Sequence, residues 1–160
     1  MNAQRGFTII ELIVVILIAG IMGVAVMSRF SDRGVFEGRG FLDETQALLR
    51  YGQKAAIAQR RTVCVRFSAN QAWLTMRSAA GDTACGTHET PGAGAPDDEV
   101  LLTGPNGVAP FTVTAGTSSG FSPTPAVFYF DAVGRPSAGQ TIVVLGGGTV
   151  TVEAETGYVH

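Results

Sequence analysis

A chain of 160 residues with a formal charge of −2 has room for one long helix and one small domain, and its charge balance gives no electrostatic reason to expect a nucleic-acid partner. Histidine occurs only as His88 and His160, and there is no Gly-x-Ser-x-Gly elbow, HExxH pair or phosphate loop, so no catalytic residue is assigned. Outside the N-terminal apolar stretch the chain is rich in Gly, Thr, Ser and Val and has a single lysine, Lys54, which suits short strands and turns.

From Phe7 to Val26 the sequence is almost wholly apolar, and as a helix it is ~30 Å long, about the hydrocarbon thickness of a bilayer. Glu11 interrupts it. A carboxylate there costs roughly 2.5–3.5 kcal/mol on insertion scales, so a helix that only anchored the protein would do better with leucine. Two plainer readings stand beside a functional one. The stretch is a membrane anchor with a stray acid, or a secretory signal cut at the small residues Gly23-Val24-Ala25, although it is long for such a signal and holds the acid inside.

The residues ahead of the acid carry a resemblance. Gly6-Phe7-Thr8-Ile9-Ile10-Glu11, behind a short polar leader containing Arg5, resembles the class III signal of the type IV pilin and type II secretion pseudopilin superfamily. The resemblance implies that a prepilin peptidase removes residues 1–6, cutting between Gly6 and Phe7 and methylating the new amine of Phe7. Residues 7–27 are then a transmembrane or filament-core helix. Glu11 faces the N-terminal amine of a neighbouring subunit, and charge pairing in a dry core offsets its desolvation. The implied location is a single pass through the inner membrane with a periplasmic C-terminal domain, then the pilus or pseudopilus. The positive-inside count, Arg5 before the span against Arg29, Arg33 and Arg39 after it, favours the opposite orientation.

Ala19, Gly20 and Gly23 are small residues that let helices approach closely. Gly34, Gly38 and Gly40 then predict a kink, fray or break, since glycine costs ~1 kcal/mol against alanine in a helix. Residues 28–61 are thus a kinked helix continuing into an amphipathic one. Phe41, Leu48, Tyr51, Ala55 and Ala58 make its apolar face, with Asp43, Gln46, Arg50 and Lys54 mainly opposite and Arg60 and Arg61 at the C-terminal end of the dipole.

The period then changes to two. Residues 62–67 and 72–76 predict a hairpin about 68–71, followed by a Gly-, Ala- and Pro-rich loop over 78–99 that ends in Asp97-Asp98-Glu99. That acidic run reads as a solvated face, with a calcium site as the sharper alternative. Strands are expected at 100–102, 111–114, 126–130, 141–145 and 149–153, with turns at 131–136 and 146–148. A helix followed by a run of strands predicts an α+β fold, with the amphipathic helix packed on a small antiparallel sheet in a domain over 62–160.

Cys64 and Cys85 are the only thiols. In an exported domain they read as a disulfide worth ~3 kcal/mol in the chain-entropy model, with free buried cysteines as the alternative. A metal site at Cys85-x-x-His88 lacks two further ligands, and no cofactor is implied. The helix 50–61 running straight into a strand, the stretch 128–136 and the tail 150–160 resemble the GspH/FimT branch of minor pilins and pseudopilins. The tail is most similar to MSHA-type pilus biogenesis prepilins (MshC-like). The resemblance implies a subunit that initiates, caps or modifies a type IV pilus or type II secretion pseudopilus, and its partners are prepilin peptidase, other subunits and the inner-membrane assembly platform. A FimT-like DNA-binding minor pilin is the alternative; it needs a basic surface, and residues 137–160 contain no Lys or Arg.

Overall fold

The computed structural model describes residues 7–27, 33–86 and 98–160. They fall into two compact units, divided between Arg33 and Gly34. The leader, Gly6 included, lies outside the described residues, as do His88 and Asp97.

The first unit is helix α1, Ile9–Met27. Its start is fixed locally. Thr8 accepts the Glu11 backbone N–H on its Oγ1 at 3.3 Å, and its carbonyl takes the N–H of Leu12 at 3.2 Å, so Thr8 is the N-cap. The nineteen residues of α1 rise ~28 Å, and side-chain exposure is described as far as Met22. Among the described residues no helix is long and apolar enough to cross a membrane.

Helix α2, Arg33–Gln59, runs unbroken through the three glycines that predicted a kink. The reason is tertiary. A Cβ on Gly38 would stand 2.4 Å from the carbonyl carbon of Gly146, and one on Gly147 would meet the backbone of Gly38. The loss in helix propensity is thus coupled to a backbone-to-backbone approach that no side chain permits. Gly40, by contrast, has nothing within 4 Å of its Cβ position.

The buried face of α2 contains Phe41, Leu48 and Ala55, with Tyr51 half-buried, as the spacing predicts. It also takes in Thr45, Leu49, Gly52 and Ala56, whereas Ala58 is exposed. Thr45 is tolerated because its Oγ1 donates to the Phe41 carbonyl at 2.7 Å. Arg50, expected on the solvent side, reaches back to the Val159 carbonyl with Nη2 at 3.0 Å.

The strands are β1 Val63–Phe67, β2 Gln71–Arg77, β3 Glu99–Leu101, β4 Thr112–Thr114, β5 Phe128–Phe130, β6 Gln140–Val144 and β7 Gly148–Val152. They build an antiparallel sheet in the order β3-β2-β1-β5, with β4 beside β3 along the same edge of β2, and a separate β6–β7 hairpin. The fold is α+β and pilin-like, a helix packed on antiparallel sheet. Leu48, Leu49 and Ala56 of α2 share one core with Val63, Val65 and Leu74 of the sheet and Ile142 and Val150 of the hairpin. Phe121 joins the layers, its ring centroid 4.8 Å from that of Phe41 and 5.3 Å from that of Phe67.

Both faces of β1 are covered: all five of its residues are buried. The acidic run, read from the sequence as a solvated face, is not simply solvated: Glu99 is buried and Asp98 is ion-paired.

Candidate functional site

Two constellations stand out, one in each unit. At the start of α1, Phe7 is 75% exposed and Glu11 lies in the first turn, where the helix dipole favours a carboxylate. Thr8 and Glu11 have the Thr-x-x-Glu spacing of a capping box, with the Thr8 half of that box formed at 3.3 Å. The spacing was visible in the sequence, where the cost of the acid drew attention instead. Every side chain of α1 described is exposed, including Ile9, Ile13 and Leu17, and Gly20 has nothing within 4 Å of its Cβ position. An apolar surface on all sides of a helix lowers the free energy only when something covers it.

The second constellation covers the outer face of the sheet. Cys64 on β1 is disulfide-bonded to Cys85, with Cα atoms 5.8 Å apart. This ties residues 78–86 as a strap across side chains that a bare sheet would leave wet. Beneath it, Arg66 Nη2 lies 3.0 Å from both carboxylate oxygens of Glu99, and the two side chains are 3% and 0% exposed. The strap completes the pair: the Gly86 carbonyl accepts from Arg66 Nη2 at 2.6 Å, and the Gly86 N–H donates to Glu99 Oε1. Thr75 Oγ1 accepts from Arg66 Nε at 3.2 Å. Each buried charge therefore has both an opposite charge and hydrogen bonds, the condition under which such a pair is tolerated.

Arg77 closes the margin of the strap. Its guanidinium donates to Asp82 at 2.9 Å and to Asp98 at 2.5 Å. The hydrogen bond to Asp82 raises its pKa above the ordinary arginine value, burial works against this, and Asp98 adds to the rise. Sequence reasoning missed the Arg66–Glu99 pair because the partners lie on separate strands and the join is made by pairing of β1 and β3 to β2.

His160 lies 3.0 Å from Glu153 and stacks on Tyr158 near the surface. Among the described residues no three His, Cys, Asp or Glu side chains converge as a metal site. Asp98 and Glu99 of the acidic run are taken up by arginines.

A capped, exposed apolar helix preceding a helix-on-sheet α+β domain defines a pilin-like subunit. Residues 1–27 match the prokaryotic N-terminal methylation motif, and residues 42–155 match the type II transport protein GspH; the chain belongs to the GspH family. It is a minor pilin or pseudopilin of the type IV pilus and type II secretion class, and that family is structural rather than enzymatic. Comparison with curated proteins and with solved structures gives no match.

Proposed function

We propose that this chain takes part in the assembly of a type IV pilus or type II secretion pseudopilus, as an initiating, tip or modifying subunit, by packing α1 among the helices of other subunits. A prepilin peptidase removes residues 1–6 between Gly6 and Phe7 and methylates the amine of Phe7. Before assembly the chain is held by a single pass through the inner membrane over residues 7–27, a stretch longer than the part of α1 whose side chains are described, with residues 34–160 in the periplasm, where a disulfide persists. The similarity of residues 150–160 to MSHA-type prepilins makes such a pilus one concrete setting, and the identity of neighbouring genes checks it.

The observation that carries this reading is an acid in the capped first turn of a helix that is apolar and exposed on every side. The Glu11 carboxylate pairs with the N-terminal amine of an adjacent subunit, so that one helix docks at one height along the next. Intact mass after co-expression with a prepilin peptidase should fall by the leader and rise by one methyl; an unprocessed mass overturns the class III signal. Glu11→Leu should fractionate with membranes at least as well as the parent, since a costly acid is gone. It should be depleted from sheared filaments or subunit complexes, because the neighbour's amine loses its partner. Glu11→Gln should fall between. Glutamine also serves at the third position of a capping box, so this variant separates the charge from the cap. Normal recovery of Glu11→Leu refutes the pairing.

A further inference from the structure

The first turns of α2 carry an apolar surface that the core does not use. Phe36 is 78% exposed and Val35 is 43% exposed, and Arg39, also exposed, lies between them on a helical wheel. Gly38 faces the opposite way, against the turn at Gly146–Gly147, and the Cβ position of Gly34 faces Ser118, so Phe36 points away from the domain. At the same level along α2 that turn presents a further exposed apolar residue, Leu145, half exposed beside Gly146, whose Cβ position is 3.6 Å from the Cα of Val35. This end of the domain therefore shows aliphatic and aromatic side chains with an arginine among them. Such a mixture suits a membrane–water interface, where rings sit at headgroup level and arginine reaches phosphate.

Only residues 28–32 separate the end of α1 from the start of α2. Even fully extended, the six Cα–Cα steps from Met27 to Arg33 reach no more than ~22 Å, so Phe36 stays within a short tether of the point where α1 ends. We infer that Val35, Phe36 and Arg39, with Leu145, rest on an anionic lipid surface while the subunit waits in the membrane, and fix the height of the domain above it. This rests on the proposal that α1 is a membrane anchor.

The test uses the full processed chain in vesicles of phosphatidylcholine and phosphatidylglycerol, with and without brominated acyl chains that quench nearby tryptophan. The native Trp73, 1% exposed, supplies a constant background. Three variants each add one tryptophan: Ile16→Trp in α1, Phe36→Trp, and Val133→Trp. Val133 is 71% exposed, and a Cβ on its neighbour Gly134 would meet Ile57, roughly 30 Å along α2 from Phe36. Phe36→Trp should shift its emission to the blue and lose intensity in brominated vesicles, less than Ile16→Trp, while Val133→Trp does neither. If Ile16→Trp is quenched and Phe36→Trp keeps the emission of water-exposed tryptophan, the lipid contact is overturned and the anchor stands. A blue shift at Phe36→Trp without quenching also overturns it, since a protein surface then covers the site. Failure to quench Ile16→Trp overturns the anchor together with the contact.

Discussion

Gly38 and Gly40 stand two positions apart in one helix, and substitution should move stability in opposite directions. Gly38→Ala forces a methyl against the backbone of Gly146 and Gly147, and overpacking of this kind costs about 1–3 kcal/mol, more than the ~1 kcal/mol of helix propensity gained. Gly40→Ala meets nothing and should gain up to ~1 kcal/mol. Denaturant midpoints of the two variants should lie on either side of the parent. The same logic of isolated against paired changes applies under the strap. Glu99→Leu takes from the buried Arg66 the carboxylate 3.0 Å away and should cost up to about 3–5 kcal/mol, whereas the double change Arg66→Met with Glu99→Leu should restore part of that loss. If the double variant is no better than Glu99→Leu alone, the pair is not what the strap encloses.

At the scale of elements, the strap 78–86 and the strands beneath it should differ in their response to reduction. The β1–β2 pairing is held by its own ladder and by the core on the other face, while the strap depends on Cys85, Gly86 and the Asp82–Arg77 contact. Converting both cysteines to serine should therefore raise hydrogen exchange at residues 78–86 first and leave Val63–Phe67 protected; equal loss in both would show that the disulfide supports the sheet itself. Most elements were legible in the sequence because they rest on local pattern. The hairpin at 62–76, the α2 face around Leu48 and Ala55, and the strands 141–145 and 149–153 all appear within a residue or two of their expected places. What could not be read is what distant segments do to them. A kink, fray or break about Gly34, Gly38 and Gly40 follows from propensity alone; residues 28–32 lie outside the described residues, and from Arg33 the helix is continuous, with the turn at Gly146, more than a hundred residues on, packed against Gly38. Likewise Val63–Phe67 alternates as a half-wet strand would, and its second face is dry because a loop is fastened over it.

For the molecule as a whole, the core among the described residues draws on side chains from Phe41 onward. A fragment spanning residues 34–160 should consequently fold without α1, giving one cooperative thermal transition and a buried-tryptophan emission from Trp73. A fragment that is molten or insoluble would mean that α1 contributes to the domain. The site divides in the same way. The acid and the motif ahead of it were legible because their signal is a short contiguous stretch, Gly6 to Glu11, inside the matched N-terminal methylation motif. The ionic cluster of Arg66, Arg77, Asp98 and Glu99 was not, because three strands and a cross-link bring it together.

The tail and the loop at 120–122 have a consequence for how copies of this chain can polymerise. The outer rungs of β7 are taken by residues 158–160, with Thr151 and His160 exchanging both backbone hydrogen bonds and Val159 tucked inside under Arg50. Those of β6 are taken by residues 120–122, and Ser137 and Pro136 occupy positions beside β5. A fibre that grew by donating a strand from one copy to the next would first have to evict these segments. Along these edges the domain is insulated against runaway sheet extension, so contacts between copies fall to surfaces other than its strand edges.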